Sequence, residues 1–456
     1  MSGLEIAGIL SIIIIVLFFI VVYKLVFISN NKIFDFERDH TKAITKASYK
    51  NTSIEQEEGT IIGQATNKRE VFIPNDAKHV FVCGTTGSGK TVALSNFIKA
   101  GAEYNYPMLI IDGKGDTDVG SLLDIVKKVC PERKTYVINF NEPEKSDKYN
   151  PFKNTSTDVI KDMLINMTNW SEEHYKYNTE RYIQRLLKLL KMADIELSLD
   201  SLTKYLPVDN FNKLSKDLSI KELISKEEKI EDSELAKISG SIAESAAARF
   251  ATIKESSLGQ IFEASGIDVY TALEENAIIL FILNPLLYPE MSPLIGNLIV
   301  IDSKKAVSKF FTNKKKRIFY ILDEINVYAS NSLLDLVNKS RSANITCILA
   351  TQSLSDLDTV TEQFKEQIIE NCNNYILLRQ NSSINAEHWA SVFGTRETMQ
   401  PTYQIKEGES TQLGSLRKTR EFIYHPDDIK MLKAGCAIFF SKDKMEHTKV
   451  NINKPF

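Results

Sequence analysis

The sequence has few residues that could form disulfide bonds or bind a metal unaided. Its 456 residues include five cysteines and six histidines. The cysteines show no C-x-x-C spacing, the histidines form no H-x-x-x-H pair, and the two types do not cluster. Disulfide frameworks and protein-built zinc sites depend on such spacings. The sequence therefore predicts neither kind of site.

The chain also lacks an excess of positive charge. Its net charge is −3 at pH 7, and its isoelectric point is about 6.2. A surface that is basic over the whole molecule is thus excluded. Any contact with a nucleic acid would have to come from local basic loops.

Long apolar runs are absent except for one near the N-terminus. Residues 6–23 (IAGILSIIIIVLFFIVVY) carry no charge, and LVFI extends the apolar stretch to Ile28. At about 1.5 Å per residue, such a helix spans the ~30 Å hydrocarbon core of a membrane. A cleaved signal peptide is the alternative, but Glu5 stands where a basic region is expected, and no small-x-small cleavage site follows. We predict a retained transmembrane anchor over residues 1–30 and a polar linker over residues 31–58.

The basic residues around this segment predict its orientation. No Lys or Arg precedes it, whereas four follow closely, namely Lys24, Lys32, Arg38 and Lys42. Basic residues are enriched on the cytoplasmic side of membrane helices. We therefore expect a single-pass protein of the cell membrane, with its N-terminus outside and the rest of the chain in the cytoplasm.

A glycine-rich motif predicts a nucleotide site. Residues 80–91 (VFVCGTTGSGKT) are typical of a buried strand, a glycine-rich turn and the start of a helix, and they match the P-loop pattern G-x-x-x-x-G-K-[ST]. Backbone N–H groups of such a turn surround phosphates, the lysine reaches the β- and γ-phosphates, and the last hydroxyl binds Mg²⁺. The expected ligands are ATP and Mg²⁺. The expected site residues are Gly84, Thr85, Thr86, Gly87, Ser88, Gly89, Lys90 and Thr91.

Further apolar runs predict an α/β fold built on a parallel sheet. Strands are expected at residues 108–112 (MLIID), 135–140 (TYVINF), 317–324 (RIFYILDE) and 344–352 (NITCILATQ), and they alternate with helical patterns. No N-K-x-D segment suited to guanine recognition follows in the right place, which favours ATP over GTP.

The third of these strands ends in two carboxylates. Asp323 is expected to bind Mg²⁺, and Glu324 to polarise the attacking water as a general base. Two solvated acids at the end of an ordinary strand are the alternative. Beside a P-loop, the pair instead favours active hydrolysis over a passive nucleotide switch.

Three further polar residues are candidates for the same site. Gln352 ends a buried strand and could sense the γ-phosphate or orient water. Arg341, eleven residues upstream, could complete the site of a neighbouring subunit in a ring. A solvated arginine at a helix end is the alternative for Arg341, and Arg379 is the second candidate for its role.

Six segments taken together resemble the TraG/TraD-like type IV coupling proteins of the HerA/FtsK superfamily. They are HVFVCGTTGSGKT, IIDGKGD, YNPF (residues 149–152), YILDE, RSANITCILATQ and REFIYHPDDIKMLKAGCAIFF (residues 420–440). Two features differ from the family's pattern. This chain has one predicted membrane helix where family members commonly have two, and Asp112 and Lys114 lie in DGKGD where DPKGE is more familiar.

The resemblance implies a RecA-like P-loop ATPase core over residues 59–153 and 266–456, interrupted by an all-α domain at residues 154–265. It also implies a homo-hexameric ring, and partners that include DNA with relaxase and relaxosome proteins, the channel proteins of a type IV secretion system, and the cell membrane. Two polar segments, residues 381–385 and 406–420, are predicted to be loops.

These features together predict a membrane-anchored ATPase that couples ATP hydrolysis to the delivery of DNA, or of a relaxase–DNA complex, into a type IV secretion or conjugation channel. One alternative is a DNA translocase of the FtsK or HerA kind. Another is a substrate-docking receptor that uses ATP mainly for assembly.

Overall fold

The computed structural model describes residues 16–18, 20, 21, 58–76, 78–166, 173–312, 316–358, 361–406 and 409–456. The chain divides into two units, Met1–Glu57 and Glu58–Phe456. Most of the predicted membrane segment lies outside the described residues, although residues 16–18, 20 and 21 are helical. Among the residues described, no helix combines the length and the apolar character that crossing a membrane requires.

Most strands of the second unit form one 11-stranded sheet. Its strand order is β2-β1-β13-β12-β9-β3-β8-β7-β4-β6-β5. The bounds of these strands are β1 Gly59–Ala65, β2 Glu70–Pro74, β3 His79–Cys83, β4 Met108–Asp112, β5 Thr135–Asn139, β6 Ile278–Ile282, β7 Ile318–Asp323, β8 Ile345–Thr351, β9 Cys372–Leu377, β12 Cys436–Ser441 and β13 Glu446–Ile452.

The seven strands from β9 to β5 in this order are all parallel. The four at the other edge are antiparallel. The predicted α/β fold with a mostly parallel sheet is thus confirmed. The carboxyl ends of the parallel strands lie along one edge of the sheet, which we call the carboxyl edge, and the opposite edge is the amino edge.

The central strands are apolar because helices cover both faces of the sheet. Every residue of β3, β4, β6, β7 and β8 is buried. Successive side chains of a strand enter opposite faces, so Val80 and Val82 pack in one hydrophobic layer, and Phe81 and Cys83 in the other. Burial of each large apolar side chain contributes roughly 1.5–3 kcal/mol.

The helices divide between the two layers. α1 (Lys90–Glu103) and α2 (Leu122–Val129) pack with Val80 and Val82. The other layer contains α8 Val269–Glu274, α9 Met291–Phe310, α10 Asn331–Ser340, α11 Glu362–Asn371, α12 Ser383–Phe393 and α13 Pro426–Lys430.

Between β5 and α8 the described part of the chain is mainly helical. The helices are α3 Thr157–Asn166, α4 Glu173–Met192, α5 Leu199–Tyr205, α6 Val208–Ile220 and α7 Lys226–Glu255. The long helix α7 begins at a capping box, in which the Ser225 side chain accepts from Glu228 N–H and the Glu228 side chain accepts from Ser225 N–H. Residues 58–456 form one compact unit, and the predicted boundaries of the all-α domain remain predictions.

The two ends of this helical segment meet at the YNPF motif. Asn150 N–H donates to Ile267 O (3.0 Å), and Ile267 N–H donates to Lys148 O (2.9 Å). The Asn150 amide also donates to Leu197 O (3.0 Å) and to Ala264 O (3.1 Å). One side chain thus connects the outgoing chain, the helical segment and the returning chain.

A buried ionic cluster fastens this junction to the sheet layer. Lys305 Nζ lies 2.6 Å from Asp302 Oδ1 and 3.0 Å from Asp268 Oδ2, and the three side chains are almost completely buried. The Tyr149 hydroxyl donates to Asp302 Oδ2 (2.9 Å). Lys305 also donates to Pro151 O (3.1 Å). Helix α9 thus contacts the YNPF motif at both Tyr149 and Pro151.

The prediction of loops at residues 381–385 and 406–420 is wrong for most of both segments. Ser383 begins α12, whose N-cap Ser382 accepts from Asn385 N–H. The second segment lies largely in a separate two-stranded ribbon, β10 Thr395–Lys406 and β11 Glu409–Phe422. Antiparallel strands of this kind need not be apolar, because such a sheet can have a face in water.

Candidate nucleotide site

The P-loop connects β3 to α1 at the carboxyl edge. Gly87 and Gly89 have φ values of 74° and 111°, which side chains rarely tolerate. A Cβ atom on Gly84 would lie 2.5 Å from Leu378 Cβ, so glycine is required there by close packing. Residues Gly84 to Gly89 therefore form a turn that leads into the N-terminus of α1, where free N–H groups favour a bound phosphate.

The buried side chain of Lys90 extends across this turn. Its Nζ donates to Gly84 O (2.9 Å) and lies 3.4 Å from Glu324 Oε1. Thr91, the next residue, is half-buried in the first turn of α1. The predicted phosphate-binding lysine thus already touches the predicted general base.

Asp323 is the last residue of β7, and its carboxylate is buried. Burial, with the nearby Glu324 and Asp112, raises the pKa of Asp323 to about 8. Its Oδ1 has no hydrogen-bond partner among the described residues. A buried carboxylate oxygen of this kind is ready to accept a water molecule or a cation.

Glu324 occupies a strained backbone position. Its φ and ψ are 46° and 56°, in the left-handed region that non-glycine residues seldom adopt. Its side chain is buried, and within the described part of the chain Oε2 has no partner. The left-handed turn ends β7 and directs the chain into the turn at residues 325–328.

Gln352 joins Glu324 to the P-loop. Its amide nitrogen donates to Glu324 Oε1 (3.1 Å), and its amide oxygen accepts from the Thr86 hydroxyl (3.1 Å). Because Gln352 follows β8, which pairs with both β3 and β7, it sits between the two predicted motifs. The structure therefore brings together the P-loop, Asp323, Glu324 and Gln352.

Asp112 is not among the site residues predicted from the sequence, but it lies at the same edge of the sheet. It lies opposite Asp323 in the register of β4 and β7. Its Oδ1 accepts from Lys114 N–H (2.9 Å) and Gly115 N–H (3.0 Å). Burial, which those two hydrogen bonds only partly offset, raises the pKa of Asp112 to about 6. The signal in the sequence was the carboxylate at the end of an apolar strand.

The two candidate arginines lie in different places. Arg379 follows β9 beside the P-loop, where its carbonyl accepts from Thr85 N–H (3.0 Å) and its Nε is buried without a partner among the described residues. Arg341 is exposed at the end of α10, on the amino edge. The seven-residue strand β8 lies between Arg341 and Gln352. Arg341 is therefore about 20 Å from Gln352. It is not part of the site in its own chain.

The donor set fits Mg²⁺ delivered with a nucleotide. Thr91 offers a hydroxyl, Asp323 offers an unpartnered carboxylate oxygen, and Asp112 adds a second carboxylate behind it. Mg²⁺ is commonly held by one or two protein carboxylates, with waters and phosphate oxygens filling its other positions. These residues leave such positions to the nucleotide.

Comparisons with known structures support the fold. Over 88% of this chain and 90% of the other, the structure is similar to the unbound bacterial conjugative coupling protein TrwBdeltaN70, with a TM-score of 0.63 and 17% identity. It is similar to TrwB in complex with ADP and Mg²⁺ over 90% and 97%, with a TM-score of 0.60 and 18% identity. VirB4 of Thermoanaerobacter pseudethanolicus matches over 88% and 98%, with a TM-score of 0.53 and 11% identity.

One curated sequence is also similar. The chain is 29% identical over 101 residues to an uncharacterized protein of Mycoplasma pneumoniae (strain ATCC 29342 / M129 / Subtype 1). The aligned part is 22% of this chain and 67% of that protein.

A family model identifies most of the chain directly. The model of the type IV secretion-system coupling protein DNA-binding domain matches residues 71–453, which include every strand of the sheet except β1 and the first residue of β2. This confirms the resemblance drawn from the six sequence segments. The chain belongs to the family of type IV secretion-system coupling proteins.

Proposed function

We propose that this protein is a membrane-anchored ATPase that uses ATP hydrolysis to deliver DNA, or a relaxase–DNA complex, into a type IV secretion channel. The observation that carries the proposal is the arrangement of Asp323 and Glu324. Both side chains are buried beside the P-loop, and each has one oxygen without a partner among the described residues. Such oxygens are costly unless a ligand or water satisfies them. A passive structural strand end would not need them.

Each site residue of a chain has its own role in hydrolysis. The turn from Gly84 to Gly89 and the start of α1 bind the phosphates, and Lys90 exchanges Gly84 O and Glu324 for phosphate oxygens. Thr91 and Asp323 would hold Mg²⁺, which would supply positive charge to neutralise the phosphates. Glu324, released from Lys90, orients the attacking water and polarises it.

Gln352 gives the site a means of sensing its ligand. Its amide is bonded at one end to the P-loop residue Thr86 and at the other to Glu324. A γ-phosphate that accepts from the Gln352 amide or from the Thr86 hydroxyl would replace one of these hydrogen bonds. Gln352 thereby links occupation of the P-loop to the position of the general base.

Arg341 acts in a neighbouring copy. It is exposed and about 20 Å from its own Gln352, so it can reach reacting phosphates only across an interface. A hexameric ring with sites between subunits would use it to stabilise transition-state charge. Arg379, beside the P-loop of its own chain, is the cis alternative.

Family membership supports the remaining parts of the proposal. TrwB, to which this chain is similar, is described as a conjugative and plasmid coupling protein and is known with ADP and Mg²⁺. On this basis the partners are DNA with relaxosome proteins, and the channel proteins of the secretion system. The apolar segment at residues 6–23 would anchor the chain in the cell membrane, with the ATPase unit in the cytoplasm.

The test is nucleotide hydrolysis by the full chain in detergent, with and without single- and double-stranded DNA, together with its mass in solution. Both ATP and GTP are assayed, because TrwB is known with analogues of each. We expect ATP turnover that DNA stimulates, in a species of several subunits. The Lys90→Ala variant should lose turnover, whereas Lys99→Ala, an exposed change on the same helix, should not.

Other results would redirect the proposal. DNA-independent turnover by a monomer would favour the docking receptor. In a single-molecule assay on bare DNA, repeated displacement would support a motor, whereas binding without movement would support the receptor. Turnover at the wild-type rate in Lys90→Ala would overturn the assignment of the site.

A further inference from the structure

His79 connects the strand of the P-loop to the helix that ends at Arg341. It is the first residue of β3, the five-residue strand that leads into Gly84, and it is buried on the amino edge. The backbone N–H of Cys347, in β8, donates to His79 Nδ1 (3.1 Å). His79 Nε2 lies 2.9 Å from Val337 O, in the last turn of α10.

These contacts determine the tautomer of the imidazole. Because Nδ1 accepts a backbone hydrogen bond, the proton must be on Nε2, which then donates to Val337 O. Burial and the charge of Arg341 lower the pKa of His79 to about 4, so the ring is neutral at physiological pH. His79 is therefore a fixed, uncharged bridge between β8 and α10.

The bridge acts on the turn that carries Arg341. Val337 O is one of the last four carbonyls of α10, which have no partner within the helix. The Ser340 hydroxyl also donates to Val337 O (3.2 Å) and lies 3.4 Å from His79 Nε2. Arg341 follows Ser340 directly. The hydrogen bond from His79 to Val337 O therefore helps to fix the backbone at Arg341.

We propose that His79 is a positioning residue for Arg341. It connects the arginine that acts in the neighbouring subunit to β3, the strand whose other end leads into the P-loop. The two ends of β3 are about 17 Å apart. A displacement of the strand on phosphate binding can be passed to α10 through the His79 side chain. A chain with an occupied P-loop then presents Arg341 to its neighbour differently from an empty one. This inference rests on the proposed role of Arg341 in a ring.

A pair of uncharged substitutions separates the two contacts of the ring. In His79→Gln the longer amide can still donate to Val337 O. In His79→Asn the amide oxygen can accept from Cys347 N–H, but the side chain is too short to reach α10. Both keep a polar, uncharged group in the same place. The exposed His425→Gln is the control for replacement of a histidine elsewhere.

Mixing of subunits shows on which side of the interface the defect lies. We expect His79→Asn to bind ATP as the wild type does and to lose about 100-fold in turnover, the size of effect that a displaced catalytic group causes. His79→Gln should keep most of the activity. Addition of Glu324→Gln subunits should restore His79→Asn, because these subunits supply a correctly placed Arg341 to sites whose own residues are intact.

The outcomes are distinguishable. Weakened ATP binding in His79→Asn, or no recovery on mixing, would show that His79 acts on its own P-loop or on folding alone and would overturn the inference. Equal activity of the Gln and Asn variants would also overturn it. Full activity in Arg341→Ala would instead remove the proposed role of Arg341, whatever His79 does.

Discussion

Asp112 lies beside Asp323 in the register between β4 and β7, so two buried acidic residues are neighbours at the carboxyl edge. The pair is fixed by the backbone, because Gly113 N–H donates to Asp323 O (3.3 Å). A Cβ atom on Gly113 would lie 2.8 Å from the same carbonyl oxygen. Two buried acids held this close repel one another unless a proton or a cation intervenes.

Replacement of Asp112 by Asn should separate stability from ligand binding. The amide oxygen can still accept from Lys114 N–H and Gly115 N–H, while the repulsion with Asp323 disappears. We expect the midpoint of thermal unfolding without nucleotide to stay level or rise. Stabilisation by Mg·ATP should fall: at 100 times Kd it is about 2.7 kcal/mol, and a hundredfold weaker binding leaves about 0.4 kcal/mol.

Asp116→Asn is the matched control for this prediction, because Asp116 lies on the same loop and pairs with Lys114 at the surface. It should leave both unfolding midpoints unchanged. Unaltered stabilisation by Mg·ATP in Asp112→Asn would show that Asp112 is not part of the cation site.

The two candidate arginines should respond differently to mixing with Glu324→Gln subunits. Arg341→Ala should lose about 10³-fold in turnover, as removal of an arginine that stabilises phosphoryl transfer does. Mixed rings should recover activity, because some sites then combine an intact Glu324 with an intact Arg341. Arg379→Ala should not recover, since Arg379 and Glu324 lie on the same side of the interface. The reverse pattern would exchange the two roles.

The buried cluster at Lys305 should contribute to stability far more than its surface neighbour does. Lys305→Met leaves the buried Asp302 and Asp268 without their cation, which should lower the free energy of unfolding by about 3–5 kcal/mol. Lys304→Met, next in the chain, removes a surface pair with Asp335 and should cost less than about 1 kcal/mol. Urea unfolding followed by fluorescence measures both. Equal effects would mean that the cluster is hydrated in solution.

His79 should make the folded state sensitive to mild acid. The pKa of His79 is about 4 in the folded chain and about 6.5 in an unfolded one, so the unfolded state takes up the proton first as the pH falls. The free energy of unfolding should therefore decline by up to about 3 kcal/mol between pH 6.5 and pH 4, with the full contribution present above pH 6.5. Urea unfolding at several pH values measures this decline.

The slope should shrink in His79→Gln, which has no titrating group at this position, and should persist in the exposed variant His425→Gln. A wild-type slope in His79→Gln would assign the acid sensitivity to other groups.

The local motifs could be predicted from the sequence because each is contiguous. The P-loop needs one strand, one turn and one helix, and Asp323 and Glu324 end a single apolar run. Gln352 could be proposed for the same reason. The polar ribbon of β10 and β11 could not be predicted, because a polar composition without clear periodicity does not distinguish a strand from a loop.

Relationships between strands could not be predicted. That Asp112 faces Asp323 depends on β4 lying beside β7, although the chain passes through β5 and β6 in between. The bridge from His79 depends in the same way on where α10 ends. Arg379 could be a candidate from the sequence, but only the pairing of β9 with β3 shows that it borders the P-loop of its own chain.

The junction at Asn150 and Ile267 has a consequence for how this family can diversify. The chain that leaves the sheet and the chain that returns to it are hydrogen-bonded to each other. The distance between them therefore does not depend on how many residues lie in the helical segment. Insertions and deletions there leave the register of β5 and β6 unchanged, and lengthening a loop costs little conformational entropy. Relatives could therefore carry a helical segment of different length and sequence here while retaining the same sheet and P-loop.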